Sequence, residues 1–156
     1  MTMTSRVDSW IARAIGSPRL MRAPILLYRI GLGFVFGRRL VMIEHLGRSS
    51  RRRRFVVVEC VERFGAVVRV ASGFGRRAQW YRNLAANEVA YLSIGFRRRI
   101  PATPRLLTRA ESDLHLQEYA ERHPLAWKHL ENSMRIAAGG DPEILIVDFT
   151  CRARGA

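Results

Sequence analysis

Between residues 40 and 106 the chain is written as short β-branched runs separated by turn residues, and this limits its fold more than any other feature. Leu40 to Leu46 reads as a strand, and Gly47 to Arg53 as a basic turn. Phe55 to Glu62 is a β-branched run, Phe64-Gly65 is a hairpin turn, and Val67 to Ser72 is the returning strand. Gly73 to Gly75 is a loop, Ala78 to Ala86 a short helix, and Asn87 stands where a C-cap would. Val89 to Ile94 and Arg98 to Leu106 form another strand pair, and Ile144 to Phe149 is a last strand.

Helices flank these strands. Thr4 to Ile15 has Val7, Ile11 and Ala14 or Ile15 on one side, and Gly16-Ser17-Pro18 ends it. Ala23 to Phe36 reads as a second helix with Pro24 in its first turn. Thr108 and Glu111 have the spacing of a capping box for a helix to about Arg122. Pro124 opens another helix to about Ile136, and Ala137 to Pro142 is a linker. Strands grouped this way, without regular βαβ alternation, predict an α+β fold around a small barrel or sheet. The 156 residues suit one domain, with residues 1–38 as an N-terminal helical segment and 40–149 as barrel with helices.

The net charge is +14, and every basic residue except Lys128 is arginine. Such a field attracts polyanions of any kind: nucleic acid, acidic lipid or a phosphorylated cofactor. No helix-turn-helix or zinc-finger pattern is present, so nucleic-acid binding specific to sequence is not expected. Pro24 to Phe36, apolar apart from Arg29, is too short to span a bilayer. It suits a core helix, with peripheral contact to the inner face of a membrane as the other use. Cys60 and Cys151 read as reduced thiols, and Met1 to Trp10 lacks a signal-peptide layout, so a cytoplasmic protein is expected. His45, His115, His123 and His129 lack metal-ligand spacing.

Two segments could carry chemistry. Gly47-Arg48-Ser49-Ser50, with Arg51 to Arg54 behind it, offers a tight turn, hydroxyls and guanidinium forks. It reads equally as an anion site or as a solvated basic turn. Ala71-Ser72-Gly73-Phe74-Gly75, followed by Trp80-Tyr81-Arg82-Asn83-Leu84, joins a strand to a helix. Gly73-x-Gly75-x-x-Ala78 fits a dinucleotide fingerprint, but no acidic residue follows Val89 to Ile94 to hold a ribose. The glycines and the Trp80-Tyr81 pair could instead accept a planar ring, or Trp80 could be core and Tyr81 rim.

Taken in this order and separation, the two segments resemble the deazaflavin-dependent nitroreductase family. Its Gly-Arg-Lys-Ser/Thr-Gly turn is matched by Gly47-Arg48-Ser49-Ser50-Arg51, and its Trp-Tyr-x-Asn-Leu by Trp80 to Leu84. The flank Arg22-Ala23-Pro24 to Tyr28-Arg29 and the later His123-Pro124 also look like one branch of it. The resemblance covers roughly residues 22 to 130 and implies a split β-barrel of the FMN-binding-like type. It implies coenzyme F420 and hydride transfer to a quinone, enone or nitroaromatic; the rival readings are an FMN-binding oxidoreductase on the same barrel, and an arginine-rich nucleic-acid-binding module using Arg51 to Arg54 and Arg97 to Arg99. Arg48, Ser49, Ser50 and Arg54 match the phosphate end, Val56 and Val57 the following strand, and Ser72, Gly73, Phe74 and Gly75 the loop at the ring. Trp80, Tyr81 and Asn83 match the helix beside it, and Tyr81 and Ser72 are candidate proton donors by position. The family lysine is Ser49 here, its closing glycine is Arg51, and no tyrosine follows Tyr119 to line an acceptor pocket.

Overall fold

The computed structural model describes residues 23–33, 37–140 and 143–153. The expected helix at Thr4 to Ile15 lies outside the described residues. Helix α1 spans Ala23–Arg29. Six strands follow: β1 (Leu40–Leu46), β2 (Arg53–Phe64), β3 (Val67–Ser72), β4 (Ala90–Ile94), β5 (Arg97–Leu106) and β6 (Leu145–Cys151). Helix α2 (Gln79–Ala86) lies between β3 and β4, and α3 (Arg109–Arg122) and α4 (Pro124–Ala138) between β5 and β6.

The strands close into an antiparallel barrel in the order β1-β2-β3-β6-β5-β4. This is the α+β barrel that the strand pattern predicts, with the split-barrel architecture that the family resemblance implies. Alternation along each strand sends one set of side chains inward. Val41, Ile43, Val70, Leu92, Ile100, Val147 and Phe149 fill the interior, and Trp80, Tyr81 and Leu84 of α2 join the same core. A second core lies between the barrel and the last two helices, with Val61, Ala71 and Ile146 against Leu116, Leu130 and Met134. Ser112 ties α3 to the barrel, its hydroxyl accepting the Ile146 amide at 3.0 Å.

The expected helix over Ala23 to Phe36 is corrected. It stops at Arg29, because Gly31 takes φ +89 and starts a turn. The Leu32 amide reaches back to the Leu27 carbonyl, and the Gly31 amide to that of Tyr28, which is a Schellman closure. The Thr108–Glu111 capping box forms as expected. Helix α4 runs two residues beyond Ile136 and closes on Gly139. Among the described residues, no helix is long and apolar enough to cross a membrane.

The barrel closes incompletely along one seam, between β2 and β3. The first half of β2 pairs with β1, from Arg53↔Leu46 to Glu59↔Leu40. Its pairing with β3 begins only at Cys60↔Val70, where the register is broken by a bulge. The Cys60 amide donates to the Arg39 carbonyl, so even-numbered backbone groups of β2 face β1. By alternation, the amides and carbonyls of Phe55, Val57 and Glu59 point the other way, where β3 does not reach. This edge is one wall of a large cavity.

Candidate functional site

The cavity measures about 730 Å³. The turn after β1 contributes Gly47, Arg48, Ser49 and Ser50, and β2 contributes Arg54 to Glu59. Gly73, Phe74, Ala78, Gln79, Trp80 and Asn83 come from the loop and helix after β3, and Leu130 and Met134 from α4. The two segments singled out in the sequence thus share one cavity.

Sequence dictates the turn locally. The amide of Gly47 donates to Arg52 and that of Arg51 to Gly47, each at 2.9 Å. Arg51 adopts φ +54, a left-handed conformation that favours glycine, at the position of the family's closing glycine. Its guanidinium bonds the Asn87 side chain, which holds it there.

Asn83 fastens this turn to α2. Its Oδ1 accepts the Arg48 amide at 3.1 Å and the Arg48 Nη1 at 3.1 Å. Gln79 Oε1 accepts the same Nη1 at 2.9 Å. Because Asn83 Oδ1 is the acceptor, its Nδ2 donates to His45 Nδ1, at 3.3 Å. That places the proton of a neutral imidazole on Nε2. Burial pushes the His45 pKa down to about 4; a backbone hydrogen bond at Leu46 opposes this and the nearby Arg54 charge adds to it.

The other end is apolar. Val57 and Val58 of β2, Ala71, Leu130 and Met134 line it. The loop packs closely on α4, since a Cβ on Gly73 would lie 2.9 Å from Met134 Cγ.

Of the expected site residues, Arg48, Ser49, Ser50, Arg54, Val56, Val57, Gly73, Phe74, Trp80 and Asn83 line the cavity. Ser72, Gly75 and Tyr81 do not. The buried Ser72 hydroxyl donates to the Gly75 carbonyl at 3.0 Å, within its own loop. Tyr81 packs into the barrel core, where burial raises its pKa. Both are therefore poorly placed to pass a proton into the cavity. Trp80 serves both uses considered for it, packing in the core and lining the cavity.

His45, Glu59, Gln79, Leu130 and Met134 also line the cavity and carried no sequence signal. His45 and Glu59 sit in strands beside the basic turn, but only the three-dimensional register turns them toward the cavity. The dinucleotide fingerprint finds no parallel sheet: every strand pair is antiparallel.

The turn's charge is suited to an anion, the seam to a flat group, and α4 to an apolar one. These define a split barrel with a basic-ended cavity along its seam. No family model and no curated protein matches the chain. Solved structures do. A protein described as a domain-swapped dimer superposes with TM-score 0.51 at 18% identity, over 81% of this chain and 99% of its own. Protein Atu2129 of Agrobacterium tumefaciens, of unknown function, gives TM-score 0.51 at 16% identity, over 89% of this chain and 57% of its own. An F420-H2 dependent reductase, FDR-A, gives TM-score 0.46 at 22% identity, over 71% and 95%. At these identities the likeness is one of fold.

Proposed function

We propose that the chain is an F420-dependent oxidoreductase that reduces an activated acceptor such as a quinone, enone or nitroaromatic. One observation carries this: the basic turn at residues 47–54 and the loop and helix at 73–83 line a single cavity. The donor set fits the cofactor's chemistry. Arg48, Ser49, Ser50 and Arg54 can take the phosphate and acidic tail through charge-assisted hydrogen bonds. The main-chain edge at Phe55, Val57 and Glu59, which β3 does not pair, can meet the polar rim of a flat ring, with Trp80 and Val56 to Val58 against its apolar surface.

When bound, reduced F420 supplies a hydride from C5 of its ring. The protein's part is to hold the cofactor by its anionic end and seat the acceptor beside the ring. Leu130, Met134 and Ala71 keep that end apolar, so an uncharged acceptor can be seated there.

The experiment is titration of the purified chain with F420, followed by fluorescence, then oxidation of reduced F420 with menadione and a coumarin enone as acceptors. Binding with turnover is expected, and NADPH should not replace reduced F420. A yellow protein with bound FMN, or no F420 binding, would overturn the assignment.

A further inference from the structure

Hydride transfer to an enone or quinone leaves negative charge on the acceptor, and a proton must follow. Neither Ser72 nor Tyr81 lines the cavity. Among the described residues that do, Glu59 is the one carboxylic acid. It lies five residues beyond Arg54 on β2, about 17 Å along the strand at the usual rise of roughly 3.3 Å per residue. The anion-holding turn and this acid therefore stand at opposite ends of the cavity. The separation matters, since a carboxylate beside the phosphate end would oppose binding there. Around Glu59 the lining is apolar, with Val57 and Val58 on β2 and Leu130 and Met134 on α4.

We propose that Glu59 is the catalytic acid of the acceptor site. This rests on the reading of the cavity as a deazaflavin reductase site. With reduced F420 bound, the hydride leaving its C5 would form the new C–H bond at the β-carbon of an enone, or the first new bond on a quinone, leaving the cofactor oxidised and the acceptor anionic. The O–H bond of the Glu59 carboxyl then breaks as the second C–H bond, or an O–H bond, forms. For an enone the proton arrives at the carbon next to the carbonyl. The resulting carboxylate is reprotonated from water, which reaches it because the side chain remains 36% exposed.

The surrounding groups suit that cycle. Burial raises the Glu59 pKa, while Arg39 and His129 lower it in part. Arg39 Nη2 stands 3.7 Å from Glu59 Oε1, where it can steady the carboxylate after the proton leaves. Tyr119 of α3, and Cys60, Glu62 and Arg63 on β2, are further titratable groups of this neighbourhood. A proton donor works best when its pKa approaches the working pH, so a raised carboxyl is a better acid here than an ordinary one.

The test compares the full chain with Glu59→Gln and Glu59→Asp. F420 affinity should stay within about twofold, because the anionic end is held elsewhere. Turnover of the coumarin enone should fall roughly 100-fold in Glu59→Gln, the low end of what a general acid contributes, with partial recovery in Glu59→Asp. The wild-type rate should decline as pH rises through the Glu59 pKa, and Glu59→Gln should lack that decline. In the cofactor-free protein, the carboxyl carbon resonance that disappears in Glu59→Gln should titrate above the ordinary glutamate value. Turnover and pH profile unchanged in Glu59→Gln, or a titration at or below the ordinary value, would overturn this role while leaving F420 binding intact. Failure of the wild-type chain to bind F420 would overturn this role and the cofactor assignment together.

Discussion

Asn83 holds Arg48 at two points, accepting its backbone amide and its guanidinium at 3.1 Å each. The third contact of that side chain, to His45, makes Asn83 the joint between β1, the basic turn and α2. It is 6% exposed, so its partners cannot easily turn to water. Asn83→Ala should cost about 1–3 kcal/mol of stability, the penalty of leaving buried polar groups unpaired. It should also weaken F420 binding, because Arg48 loses its aim. Gln79→Ala removes only one exposed bond to Arg48 and should cost about 0.5–1.5 kcal/mol or less. Denaturant titration and F420 fluorescence on both variants check this; equal effects would mean Asn83 is no joint.

Arg48 and Arg54 should carry the anionic end of the cofactor. Both line the cavity beside Ser49 and Ser50. Replacing either with Ala should weaken F420 binding by about 1.5–3 kcal/mol, the range for hydrogen bonds to charged groups. The loss should shrink as salt rises. A folded double variant with unchanged affinity would remove this turn from the site.

The strand order of the barrel was not legible in the sequence, but most of its strands were. β-Branched runs and turn residues mark β1 to β6 because one face of each must be buried. The seam was not legible, since it depends on where β3 stops pairing with β2, at Cys60↔Val70. Charge misled in a different way. Arginines look alike in a sequence, yet they serve different ends here. Arg69 is buried against Asp148 at 2.8 Å, and Arg53 and Arg99 clasp the buried Glu44 at 2.7 and 3.1 Å. Only part of the positive charge is therefore available at the cavity. Trp80 and Phe74 were found through a motif, whereas Leu130 and Met134 reach the cavity from a helix some fifty residues later in the chain.

Gly75 should tolerate no side chain. Its φ is +51, and a Cβ there would stand 2.5 Å from the Glu143 backbone carbonyl. A left-handed alanine alone costs roughly 1–2 kcal/mol, and the contact adds strain that a backbone atom cannot easily relieve. Gly75→Ala should therefore lose about 2–4 kcal/mol. Gly65→Ala is the control, because its φ is +54 and, among the described residues, nothing lies within 4 Å of its added Cβ. It should lose only the conformational part, about 1 kcal/mol. Urea midpoints compare the two. Equal losses would show that the segment at Glu143 gives way. Gly75→Ala should also weaken F420 binding, since the loop carrying Phe74 must shift.

The stability of the chain should fall in mild acid, and His45 should be the cause. The side chain is 4% exposed, and burial holds its pKa near 4 against an ordinary value of 6.5. As pH falls below 6.5 the unfolded chain takes up a proton that the folded one refuses. Stability from this group is thus complete above pH 6.5 and is lost progressively down to about 4. The loss should reach about 2 kcal/mol at pH 5 and about 3 kcal/mol at the low end. Glu44 and Glu62 have lowered pKa values, so their losses come mainly at or below the ordinary carboxyl range. Glu59, with a raised pKa, works in the opposite direction as pH falls. A variant comparison separates these. Denaturant midpoints of wild type and His45→Gln should be taken at pH 7.5 and pH 5.0. The glutamine side chain can meet Asn83 Nδ2 and does not titrate, so the variant should lose about 2 kcal/mol less than wild type between those pH values. The same pH dependence in both proteins would mean that the folded state accommodates a charged His45.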